Sequence, residues 1–159
     1  MKLHVPIRST ILFIFFFVSL NTLASIKING IYYTIMTKDG TAWVDKSEDA
    51  GGYKGDLVIP ESITYNKKVY PVTAWTVDAF KNCSNLTSIE LGSSIFKEYI
   101  LLSLNGCNKL KNIYVNKDNP NYTSIDGVVY SKDMLSLEAY PIGRTGTFSI
   151  PEGIKNINI

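Results

Sequence analysis

The sequence has 159 residues, of which 45% are hydrophobic and 19% charged, with 16 Lys+Arg against 14 Asp+Glu, one histidine and two cysteines. Such a composition supports one modest folded domain and excludes a disordered or collagen-like chain. Lys2, His4 and Arg8 all fall in the first ten positions, leaving the remainder balanced at 14 charges of each sign, so the localised positive excess that a nucleic-acid binder needs is missing.

The first predicted element is a leader. Positive charge up to Arg8 precedes the apolar run from Ile11 to Leu20, and Thr22-Leu23-Ala24 gives a small-residue exit. An apolar run of about ten residues is too short to span a bilayer and has the flanks of a secretory signal peptide. Residues 1–24 are therefore expected to be removed, with Ser25 starting a secreted or surface-displayed chain that keeps no transmembrane segment; the alternative is that the run stays as an uncleaved membrane anchor. No cysteine follows the apolar run, so no lipid anchor is indicated.

Residues 25–54 are expected to form an N-terminal antiparallel β-meander. Ile26-Lys27-Ile28 and Ile31-Tyr32-Tyr33 flank Asn29-Gly30, and Thr34-Ile35-Met36 and Thr41 to Val44 flank Lys38-Asp39-Gly40. Asn-Gly and Asp-Gly supply the positive φ angles of tight hairpins. Tyr65 to Tyr70 fits a small inserted hairpin. Tyr122 to Tyr140, with Asp126-Gly127 as a turn, fits a three-stranded excursion before Phe148 rejoins the main pattern.

That main pattern is internal repetition over residues 55–159. Leu57-Val58-Ile59-Pro60-Glu61-Ser62-Ile63, Ile89 to Ile95 and Phe148 to Ile154 share the order apolar, any, apolar, turn residue, two small or polar residues, isoleucine. Ala79 to Ile89 also matches Ser103 to Ile113 at an offset of 24 residues. This period suits coils that each supply one short strand to a parallel sheet. One coil cannot bury its apolar face alone, so Leu86, Ile89, Leu91 and Ile95 must stack on Leu110, Ile113 and Val115 of the next. Alternation then turns Ser88, Glu90, Asn112 and Tyr114 outward, and these four are the candidate binding residues. Phe96 to Leu102 lacks the glycine and alanine of other copies and is expected to be a helix. The last coil, Ile154 to Ile159, reads as incomplete.

The run Asn82-Cys83-Ser84-Asn85-Leu86-Thr87-Ser88-Ile89, together with Val72-Thr73 leading to Ala79-Phe80, resembles the BspA-like (Treponema pallidum type) leucine-rich repeats of bacterial surface proteins. Asn119 to Asp133 is similar to a hairpin-bearing repeat of the same family, found especially in Bacteroidales proteins. The resemblance implies a leucine-rich-repeat solenoid, capped by the meander and carrying hairpin insertions, that acts in adhesion by non-enzymatic binding of an extracellular protein or glycan.

Loss of His4 with the leader removes the usual base of Ser-His-Asp or Cys-His chemistry and the usual imidazole metal ligand. The fourteen acids single out no pair for glycoside hydrolysis, and no cofactor motif is present. Asp118 to Asn121 with Asp126 offers oxygen ligands but is better explained by turn chemistry, so no metal site is assigned. Cys83 and Cys107 occupy equivalent positions in successive coils and are expected to be buried thiols, with a disulfide as the lesser alternative. The rival function is a structural repeat module, or a remnant, without a ligand of its own.

Overall fold

The computed structural model describes residues 25–95 and 104–158, so the expected signal peptide and the whole of the expected Phe96–Leu102 helix lie outside the described residues. Within them no α-helix forms, and none is long and apolar enough to cross a membrane. The described chain forms twelve strands in three sheets.

The first sheet grows from turn chemistry. β1 (Ile26–Ile28) and β2 (Ile31–Met36) pair antiparallel around Asn29 and Gly30, whose φ angles of 49° and 84° suit a two-residue hairpin of the mirror-image type. β3 (Thr41–Val44) continues the meander antiparallel to β2. It also pairs in parallel with β6 (Lys68–Trp75), which closes a hairpin with β5 (Ser62–Tyr65) and completes the order β1-β2-β3-β6-β5. The inserted hairpin therefore joins the N-terminal strands and does not merely project from the repeats.

The second sheet is the repeat itself. β4 (Lys54–Val58), β7 (Asn85–Leu91) and β8 (Asn112–Val115) run parallel in that order. Ile89 pairs with Leu57 on one side and Ile113 on the other. Coil-to-coil hydrogen bonds recur between equivalent turns. Asn82 N–H donates to the Asn105 carbonyl at 2.8 Å, Lys111 N–H to Thr87 at 2.9 Å, and Asn116 N–H to Leu91 at 2.9 Å. Leu86, Ile89, Leu91, Leu110 and Ile113 are buried in one continuous core, each worth about 1.5–3 kcal/mol in apolar burial. Ala79, Phe80 and Leu104 close that core from the far side of the coil.

Cys83 and Cys107 are both free and buried, so the disulfide alternative is not realised. Cys107 donates its thiol to the Phe80 carbonyl at 3.1 Å, and the Tyr53 N–H donates to Cys83 Sγ at 3.2 Å. Burial raises both thiol pKa values, Cys107 to about 12. Tyr53 also joins the first sheet to the stack: its hydroxyl donates to the Asp45 carbonyl at 2.7 Å and accepts from Tyr32 N–H at 3.0 Å, while its ring packs 5.8 Å from Phe80.

The third sheet corrects one expectation. β9 (Tyr122–Ile125), β10 (Val128–Ser131) and β11 (Ser136–Ala139) form the three-stranded antiparallel unit, but Phe148-Ser149-Ile150 does not rejoin the repeat as a strand. That segment forms no regular element and is exposed; pairing resumes only at β12 (Asn156–Ile157), parallel to β11. The reason lies at β8. Ile113 N–H donates to the Gly127 carbonyl at 2.9 Å and Val115 N–H to Ser124 Oγ at 3.0 Å, so the β9–β10 hairpin already occupies the edge a following coil would use.

Candidate functional site

Parallel pairing converts the repeat's period into two outward rows on the second sheet. Asp56, Ser88 and Asn112 stand side by side, and Val58, Glu90 and Tyr114 form the adjacent row. Neighbouring strands lie about 4.8 Å apart, so each row behaves as one surface. All four sequence-predicted residues thus fall on this face, with Ser88 beside Asn112 and Glu90 beside Tyr114. Val58 is 59% exposed and Tyr114 45%, unusually wet for large apolar groups flanking a carboxylate.

The Asp56 row is tied together internally. Ser88 Oγ and Thr87 Oγ1 each donate to Asp56 Oδ1 at 2.7 Å, and these bonds hold its carboxyl below the usual carboxylate range. Asn112 is half-buried under the β9–β10 turn. Gly127, with φ 73°, comes so close that a Cβ there would sit 2.5 Å from Asn112 Oδ1. The Arg144 guanidinium donates to the Asp126 carbonyl in that turn.

Beyond the strand ends, Glu61 clasps three coils. Its carboxylate accepts from Ser93 N–H at 2.7 Å, Ser93 Oγ at 2.8 Å and Asn116 Nδ2 at 3.0 Å. Partial burial pushes its pKa up, but these hydrogen bonds outweigh that and leave it lowered. Asp56 and Glu61 were not singled out from sequence, although the Leu57–Ile63 match to Ile89–Ile95 places Val58 opposite Glu90 and Asp56 opposite Ser88. Among the described residues the ion pairs are Lys27–Asp49, Lys81–Asp78 and Lys117–Asp118; none touches Asp56, Glu61 or Glu90.

At the other edge, β4 is the terminal strand. Two shallow cavities of about 500 and about 470 Å³ flank it, and Asn29, Ile31 and Val58 line both. Of the oxygen-rich run considered for a cation, Asn119 is buried and turned inward, and Asp118 lies 3.2 Å from the Lys117 ammonium.

The rungs of the parallel ladder recur after 32 residues, from Leu57 to Ile89, and after 24, from Ile89 to Ile113; solved structures similar to this chain include proteins described as leucine-rich repeat proteins. They include a leucine-rich repeat protein from Bacteroides ovatus, at 25% identity and TM-score 0.49, covering 58% of this chain and 24% of that one. A leucine rich cell surface protein from Faecalibacterium prausnitzii is similar at 20% identity and TM-score 0.47, covering 60% and 24%. A leucine-rich repeat protein from Bacteroides capillosus is similar at 22% identity and TM-score 0.48, covering 58% and 65%. The chain therefore spans about a quarter of the length of the first two. No family model matches the sequence, and no curated protein is significantly similar to it.

Proposed function

We propose that the chain is an exported, non-enzymatic binding module of the BspA-like leucine-rich-repeat type. In this reading residues 1–24 direct export, residues 25–54 cap the array, and residues 55–159 form the solenoid. The outward face of β4, β7 and β8 engages an extracellular protein or glycan in an adhesion-type role. One observation carries the reading: Ser88 with Asn112, and Glu90 with Tyr114, stand in register on the outward sheet face, with Glu90 and Tyr114 exposed and Asn112 at its covered edge, backed by buried Ile89 and Ile113. Rigid display lowers the ordering cost of binding.

The test is a screen of the purified chain against immobilised extracellular matrix proteins and a glycan array, followed by Glu90→Ala and Tyr114→Ala. Support requires a ligand whose affinity drops about ten-fold or more in these variants, the range of an interface anchor. A ligand indifferent to both removes the face from the account. The second reading, a structural module without its own ligand, draws on the exposed, unpaired Phe148 to Ile150 and on a three-strand sheet that is small against the roughly 800 Å² per partner of a specific interface. No ligand in either screen favours that reading.

A further inference from the structure

The charges on the β4-β7-β8 face point to the chemistry of its partner, and this inference rests on the binding reading above. Three carboxylates lie on it or at its border: Asp56 beside Ser88, Glu90 between Val58 and Tyr114, and Glu61 at the strand ends. Asp56 Oδ1 and both Glu61 oxygens accept from hydroxyl, amide and backbone N–H donors, none of which cancels the carboxylate charge. Among the described residues no cation pairs with Asp56, Glu61 or Glu90. The cations bordering the face keep their charge but gather at the starts of the strands: Lys54 opens β4, Lys109 Nζ donates to Asn85 Oδ1 at 2.9 Å at the start of β7, and Arg144 donates to the Asp126 carbonyl in the turn beside Asn112, while Lys117 pairs with Asp118. The face therefore carries negative charge in the middle and at its C-terminal end, with an exposed aliphatic group at one flank and an exposed aromatic group at the other.

We infer that the occupant of this face is a basic polypeptide segment that lays one lysine or arginine across Tyr114 onto Glu90 and seats an apolar neighbour against Val58. The Tyr114 ring and the Glu90 carboxylate sit on adjacent strands, within one side-chain length of each other. A cationic stem can lie along the ring while its head meets the carboxylate. Val58 lines both cavities beside β4, which leaves room for an apolar side chain next to that contact. Anionic glycans are disfavoured by the same charges, and a neutral glycan gains nothing from them.

The probe is a fluorescent (Lys-Thr)6 peptide, with (Glu-Thr)6 as its counterpart, titrated by anisotropy against the full folded chain at about 10 mM and about 150 mM salt. The basic peptide is expected to bind and the acidic one not. Higher salt should weaken binding, and Glu90→Gln should weaken it by up to about five-fold, the reach of an exposed ion pair. Asp56→Asn should act in the same direction. Glu152→Gln, an equal change of net charge in the loop before β12, should have no effect. Binding equally weakened by Glu152→Gln and Glu90→Gln would mean net charge alone, and the inference fails. It also fails, with the binding reading intact, if a ligand from the screen is lost in Tyr114→Ala yet ignores Glu90→Gln and salt. Indifference to every substitution on the face overturns both.

Discussion

Asn119 is the buried polar group on which the stack depends most. It is only 1% exposed, and its amide makes four bonds: Nδ2 donates to the Gly92 and Ile95 carbonyls at 3.2 and 3.1 Å, and Oδ1 accepts from the Asn121 and Tyr122 N–H groups at 3.0 Å each. Each bond is worth about 1 kcal/mol net, and truncation strands its partners away from water, so Asn119→Ala should cost about 3–4 kcal/mol. Against a total of about 5–15 kcal/mol that is a large share. With a urea slope of about 1.5 kcal/mol/M, the unfolding midpoint should fall by about 2 M.

Asn119→Asp separates the two halves of the network. The aspartate keeps the bonds from Asn121 and Tyr122 but sets a carboxylate against two carbonyl oxygens, which raises its folded pKa above the unfolded value of about 3.9. Its penalty is therefore full at neutral pH and shrinks as pH falls through the raised pKa, where the protonated acid can donate to one carbonyl. Midpoints of wild type, Asn119→Ala and Asn119→Asp at pH 7 and near pH 4 measure both effects. A midpoint for Asn119→Ala within about 0.3 M of wild type, or an aspartate variant as stable as asparagine at pH 7, refutes the reasoning.

Three further outcomes follow from the structure. Glu61 has a lowered folded pKa, so its contribution is present above the unfolded value of about 4.3 and is lost as pH falls through the folded one; Glu61→Gln should cost about 1 kcal/mol or less at pH 7 and flatten the acid limb of a stability profile. Cys83 and Cys107 are buried and poorly ionised, so a disulfide-exchange reagent at pH 8 should leave both untouched in the native chain and titrate both in guanidinium. Lys67 holds φ 64° in the β5–β6 turn, where glycine adopts the angle without strain. Lys67→Gly should raise the melting temperature by a few degrees, corresponding to about 0.5–1 kcal/mol.

The legible parts of this fold are those governed by local chemistry or by repetition. Asn29-Gly30 and Asp126-Gly127 announced their turns, and the 24-residue offset placed Ile89 beside Ile113 and Glu90 beside Tyr114. The illegible parts depend on competition between distant segments. Phe148 to Ile150 carries the same pattern as Leu57 to Ile59, yet forms no strand, because the edge of β8 is taken by Ser124 and Gly127, and no residue pattern records which segment arrives there. Asn119 looked like an ordinary turn residue beside Pro120; its burial follows from coil stacking, which composition cannot reveal. Glu61 likewise becomes a clasp only when Ser93 and Asn116 are brought beside it from 32 and 55 residues away.

β4, β7 and β8 form one parallel ladder, regular beyond the shift between Gly55 and Asp56, with Val58, Glu90 and Tyr114 in a row. Interstrand nuclear Overhauser effects on the isotopically labelled chain test it directly. The account predicts cross-peaks of the parallel pattern linking Leu57 with Ile89 and Ile89 with Ile113, and likewise Glu90 with Tyr114. Antiparallel cross-peaks, a register shifted by one residue, or no contact between residues 85–91 and 112–115 would contradict it, since a one-residue slip turns Glu90 and Tyr114 into the core.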